Sequence, residues 1–217
     1  MQDKNWKLRR LCMMAAICAM AFAAVSLIRI PVVVFLKYEP KDVLLTIGGF
    51  LFGPLAGSIM AVVVALVELT ISDTGLIGAL MNAISSCLFV CIAATIYHRR
   101  KTLGRAVIGL VAGALATTAG MLLWNYLITP LYMGLPREQI AAMLWTVFLP
   151  FNLLKTGLNA TLTLLLYKTV VKALRAARLL PPSSGTEAPK NNRLAWFAAL
   201  FVLLTLVLAL LVWRGII

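Results

Sequence analysis

The stretch Val43-Leu44-Leu45-Thr46-Ile47-Gly48-Gly49-Phe50-Leu51-Phe52-Gly53-Pro54-Leu55-Ala56-Gly57-Ser58-Ile59-Met60 decides the fold. Almost every residue in it is apolar or glycine, and the apolar character continues with little interruption to Ile71. A run of this length and composition belongs in a bilayer. Gly53-Pro54 cuts it in two, because glycine frees the backbone to turn and proline cannot continue the preceding helix. The pattern predicts one apolar helix from about Lys41 to Phe52 and another from Pro54 to about Ile71, with no long loop between them.

The same reading extends in both directions. A first span is expected from about Leu8 to Ile28, a fourth from Leu76 to Tyr97 and a fifth from Ala106 to Ile128, ended by Thr129-Pro130. A sixth is expected from Ile140 to Val170 and a seventh from Leu194 to Trp213. Ala19-Met20-Ala21 and Ala21-Phe22-Ala23 resemble signal-peptide cleavage sites. The apolar run continues past both, which favours a retained helix. Between spans one and two, Arg29 to Pro40 carries a β-branched run and two prolines. That composition predicts extended chain, a lid or part of a pocket. Pro150 is expected to start or kink the functional part of span six. The expected organisation is a membrane domain over 1–178, a cytoplasmic linker over 179–193 and the additional helix over 194–217.

Composition agrees. Hydrophobic residues make up 62% of the 217 and charged residues only 12%, against about half and about a quarter in soluble domains. The net charge of +13 is not read as a nucleic-acid surface, because the basic residues lie between the apolar runs. With the N-terminus inside, the inner segments hold Lys4, Lys7, Arg9 and Arg10, then Arg99, Arg100, Lys101 and Arg105. They also hold Lys168, Lys172, Arg175, Arg178, Lys190 and Arg193. The outer segments keep only Arg29, Lys37, Lys41, Arg137 and Arg214. This asymmetry predicts a multi-pass protein of the cell membrane with a cytoplasmic N-terminus. Cys12, Cys18, Cys87 and Cys91 all lie within apolar runs with no His or carboxylate beside them, so no metal site is expected.

Ionisable groups inside a span are costly and point to function. Lys155 and Glu68 are the two that stand out. Asn152, Lys155 and Asn159 share one helix face, which Phe148 and Trp145 extend if the helix runs back through Pro150. An amide–ammonium–amide stripe beside aromatic rings suits a flat ligand with polar edges. The competing reading is helix–helix glue, or pairing of Lys155 with Glu68. Asn125, within Trp124-Asn125-Tyr126, and Asn82 fall in the same outer half of the bundle. Span one carries Ala15, Ala19 and Ala23 at four-residue steps, a spacing that admits a close helix neighbour inside or outside the bundle. No nucleophile–base pair, Gly-Lys-Ser/Thr phosphate loop or paired intramembrane Asp is present, so the chain itself is not expected to be an enzyme.

The pattern Phe35-Leu36-Lys37-Tyr38-Glu39-Pro40-Lys41-Asp42-Val43, followed by Ile47 to Gly57, resembles the S components of energy-coupling factor transporters. It is most similar to their riboflavin-specific member. Gly78-Ala79-Leu80-Met81-Asn82, Asn125-Tyr126 with Thr129-Pro130-Leu131-Tyr132, and Leu149 to Lys155 also fit, and the resemblance covers about Leu8 to Lys172. It implies an all-α membrane protein, a six-helix S-component bundle to which the seventh, C-terminal transmembrane helix is an addition. It implies riboflavin held near the outer face by Asn125, Asn152 and Lys155, with Leu36, Lys37 and Tyr38 in the covering loop. Ala15-xxx-Ala19 would meet a transmembrane coupling subunit, and two ATPase subunits would supply the energy. No cofactor is implied; riboflavin is the transported ligand. The alternatives are an S component for another vitamin, or a non-transporting membrane sensor or enzyme.

Overall fold

The computed structural model describes residues 2–33, 36–72, 75–176, 192–213 and 215. The expected linker lies almost wholly outside the described residues, as do Asp73 and Thr74 of the turn before the fourth span. The described residues are helical almost throughout. Helix α1 covers Gln2–Leu27, α2 Lys41–Phe52, α3 Pro54–Glu68, α4 Gly75–Arg99 and α5 Leu103–Met133. Helix α6 covers Arg137–Met143, a π-helical turn Leu144–Phe148, α7 Leu149–Ala176 and α8 Asn192–Trp213. Five stretches are long and apolar enough to cross a bilayer: Trp6–Leu27, Pro54–Ile71, Gly75–Arg99, Leu103–Leu131 and Arg137–Tyr167.

Helix α2 departs from the picture of a full span. Its 12 residues rise only about 18 Å, against a hydrocarbon layer of about 30 Å. It is instead the central element, packed by α1, α3, α4 and α7 and buried along most of its length. The break to α3 is as the sequence demands. Gly53 sits at φ 105, where a side chain would be strained, and Pro54 opens α3. A Cβ on Gly57 would stand 3.0 Å from the Cα of Gly49, so the two short helices touch backbone to backbone.

The extended segment is an antiparallel hairpin of β1 (Ile30–Val33) and β2 (Leu36–Tyr38), with Ile30 opposite Tyr38 and Pro31 opposite Lys37. Two expected boundaries shift. Helix α5 does not end at Thr129-Pro130; it runs through Pro130 and stops at Gly134, whose φ of 66 is left-handed. Proline near the last turn removes one donor while the turn still closes by Gly134 N–H donating to the Pro130 carbonyl, 2.9 Å. Span six is also not one continuous α-helix. The π turn, closed by Leu149 N–H donating to the Leu144 carbonyl, inserts an extra residue just before Pro150.

The far end of the bundle, opposite the hairpin, is pinned around the α2–α3 break. Arg10 donates to the Phe52 carbonyl at 2.8 Å, and His98 Nε2 meets the Phe50 carbonyl at 3.1 Å. Phe50 stacks on Tyr97, whose hydroxyl meets that of Tyr167. The last helix, α8, packs on α7: Thr205 and Phe201 occupy the surface left open by Gly157.

Candidate functional site

The hairpin, the start of α2, the end of α3, the start of α4, the end of α5 and the start of α7 meet at one end of the bundle. Arg29 ties the hairpin to the 3-10 turn Leu69–Ile71 that follows α3, through the Ile71 carbonyl, 3.0 Å. Apolar packing closes the other side, where Leu36 joins Ile140, Phe148 and Phe151.

Charged side chains fill this end. Pro40 precedes α2, so Lys41 and Asp42 fall in its first turn. Asp42 suits the positive end of the helix dipole; Lys41 does not and is held by carboxylates instead. Its ammonium lies 3.1 Å from Glu39 Oε2 and also pairs with Glu68 Oε2. Glu39 Oε1 in turn forms an ion pair with Arg29 Nε at 3.0 Å, and Asn82 Nδ2 reaches Glu68 Oε2 at 3.3 Å. Burial would raise the Glu39 carboxyl, but the charges of Lys41, Lys155 and Arg29 outweigh it and hold the group below the usual carboxylate range.

A second chain of hydrogen bonds runs beside the first. Ser86 Oγ donates to Asp42 Oδ1 and Asn159 Nδ2 donates to Asp42 Oδ2 at 3.2 Å. Tyr38 hydroxyl donates to Asn159 Oδ1 at 3.1 Å. The hairpin, α2, α4 and α7 are thereby joined through buried polar atoms.

Each residue expected from the sequence finds a definite place. Asn125 and Asn152 are buried, and each amide donates to a carbonyl of its own helix, Met121 and Phe148, both at 2.7 Å. Asn125 Oδ1 also accepts the Thr129 hydroxyl at 2.8 Å. Lys155 is 7% exposed; among the described residues no hydrogen bond or ion pair engages its ammonium, although its charge is felt by Glu39. Leu36 and Tyr38 are buried and Lys37 is half-buried. Glu68 and Asn82 belong together, but the partner of Glu68 is Lys41 and not Lys155.

Two expectations are corrected. Lys41, placed among the outer loop charges, is one of the most deeply buried side chains. Trp145 does not extend the Asn152–Lys155 face: it is 70% exposed while Phe148 is 0% exposed, because the π turn shifts the helical phase between them. Glu68, singled out as an ionisable group inside a span, is buried. On α1 the buried stripe is Met13, Ile17, Ala21 and Val25, and Ala15, Ala19 and Ala23 face outward. Small residues on that outer face are not needed for packing within this bundle.

Glu39, Asp42, Ser86 and Arg29 were not singled out from the sequence. The available signal was Lys41-Asp42 directly before a wholly apolar run, with Glu68 as the next charged residue. Charges so placed have no water to face once the short helix is enclosed.

The family model described as "ECF transporter, substrate-specific component" matches residues 7–167, ending before α8. A curated relative, the riboflavin transporter RibU of Staphylococcus aureus (strain TCH60), is 27% identical over 176 residues, covering 77% of this chain and 93% of the relative. A solved structure, described as the structure and mechanism of the S component of a bacterial ECF transporter, superposes with a TM-score of 0.67 at 24% identity. It covers 81% of this chain and 99% of its own.

Proposed function

Since the chain belongs to the substrate-specific components of energy-coupling factor transporters, we propose that its ligand is riboflavin, captured at the hairpin end of the bundle and carried inward. The observation that carries the reading is Lys155: a side chain only 7% exposed, next to Asn152 on α7, whose ammonium no hydrogen bond or ion pair engages among the described residues. An ammonium without a hydrogen-bond acceptor inside a membrane protein is costly unless a ligand engages it. Riboflavin is flat and apolar on its ring faces, with donors and acceptors on its pyrimidine edge and hydroxyls on its ribityl chain. Lys155 supplies donors only, whereas the amides of Asn125 and Asn152 supply both kinds of bond. Leu36, Phe148 and Phe151 supply apolar cover. In this reading Leu36, Lys37 and Tyr38 cover the ligand, and Glu68 and Asn82, joined to each other and to Lys41, support the site from below.

The chain carries no ATPase machinery of its own, and hydrolysis falls to two partner ATPase subunits. The outward face of Ala15, Ala19 and Ala23 receives the transmembrane coupling subunit, because small residues allow close helix approach. The N-terminus and the basic segments lie in the cytoplasm of a prokaryotic cell, which puts the hairpin outside. An absorbance and fluorescence spectrum of detergent-purified protein tests the ligand. Co-purified flavin, or saturable quenching on titration, is expected. Folded protein that ignores riboflavin but binds thiamine, biotin or folate moves the assignment to another vitamin.

A further inference from the structure

We infer that Asp42 and Asn159 are positioning residues: they anchor the base of the β1–β2 hairpin through the Tyr38 hydroxyl and so set how readily the hairpin lifts off the ligand. On sequence grounds Asn159 belongs to the ligand-facing stripe with Asn152 and Lys155. Its amide is already engaged at both ends, Oδ1 by Tyr38 and Nδ2 by Asp42, and its side chain is buried.

The chemistry fixes the direction of the relay. A carboxylate only accepts, so Asp42 requires the NH2 side of Asn159, and the Asn159 carbonyl is left to take the phenol proton. Burial and the negative charge of Asp42 push the Tyr38 phenol up, which keeps it protonated and a donor. Ser86 donates to the other Asp42 oxygen and holds the carboxylate in place. Aligned bonds of this kind polarise one another in a dry interior.

Its position gives the relay its consequence. Tyr38 is the last residue of β2 and pairs with Ile30, at the open base of the hairpin. The base is also held by Arg29 and Lys41 on Glu39. Toward the turn, Leu36 rests on Ile140, Phe148 and Phe151 by apolar contact. The hairpin therefore has a polar, directional anchor at its base and a non-directional seat near its turn. Cutting the anchor lets the whole hairpin loosen, while a ligand contact elsewhere in the site is untouched.

Hydrogen exchange of the hairpin amides (residues 30–38) in flavin-free protein tests this without relying on the riboflavin assignment. Tyr38→Phe removes one hydroxyl and is expected to speed exchange about three- to tenfold, the scale of one lost hydrogen bond. Asn159→Leu should do the same, and the double variant should be no faster than either single one. If Asn159→Leu does not fold, Asp42→Ala replaces it, since it removes the acceptor that holds the Asn159 amide. With riboflavin present, dissociation should accelerate by the same factor. Unchanged exchange in Tyr38→Phe, or effects that multiply in the double variant, overturns the inference. Absence of riboflavin binding overturns the proposed ligand and leaves the exchange result standing.

Discussion

Lys41, in the first turn of α2, pairs with Glu68 at the end of α3, and their side chains are 1% and 2% exposed. Glu39 shares the same ammonium from the other side. Breaking a buried pair leaves an uncompensated charge, whereas replacing both members with apolar residues does not. Lys41→Met is expected to destabilise the protein by roughly 3–5 kcal/mol, and Lys41→Met with Glu68→Leu by less. Thermal unfolding of the detergent-solubilised protein measures both.

Glu39 gives the hairpin a pH dependence with a definite sign. Burial raises its carboxyl, but Lys41, Lys155 and Arg29 lower it by more, so the folded value lies below the ordinary 4.5. A depressed carboxyl contributes stability that is complete above the unfolded value and is lost as pH falls through the folded one. Hairpin exchange, corrected for its intrinsic pH dependence, should therefore stay flat from neutral pH down to about 5 and then accelerate. In Glu39→Gln that acid limb should shrink, with faster exchange already at neutral pH.

These charges also mark what the sequence did and did not reveal. The helices were legible because apolar runs of spanning length and punctuation such as Gly53-Pro54 are local signals. The extended character of Arg29–Pro40 was legible for the same reason, from its β-branched residues and prolines. The pairing of Lys41 with Glu68 was not, because it depends on α2 being short and enclosed, a tertiary fact. Asn159 was visible as a neighbour of Lys155 on one helix face, but only the fold puts Tyr38 and Asp42 on its amide. Trp145 was misplaced because a π turn leaves no plain mark in a periodicity argument.

The outward alanines on α1 separate binding from transport. Ala15→Leu or Ala19→Leu adds bulk to a face that is exposed among the described residues. Riboflavin affinity and melting temperature should be unchanged, while cellular uptake is lost. Loss of affinity in purified protein would instead show that this face matters inside the bundle.

Helix α8 has its own test. A Cβ on Gly157 would stand 2.7 Å from Thr205 Cγ2 and 3.2 Å from the Phe201 ring. Gly157→Leu should cost roughly 1–3 kcal/mol by overpacking the α7–α8 contact. In a chain truncated after Ala176 the same substitution should cost almost nothing, because the collision partner is gone. Melting curves of the four proteins give the comparison.

The most direct test of the central claim is a riboflavin titration followed by flavin fluorescence, on wild-type protein and on Lys155→Met. Saturable quenching by the wild type is expected. Affinity should fall about ten- to a hundredfold in Lys155→Met, the scale of a lost charged hydrogen bond, with the melting temperature retained. Equal affinity in the two proteins, or no quenching by folded wild type, would contradict the account.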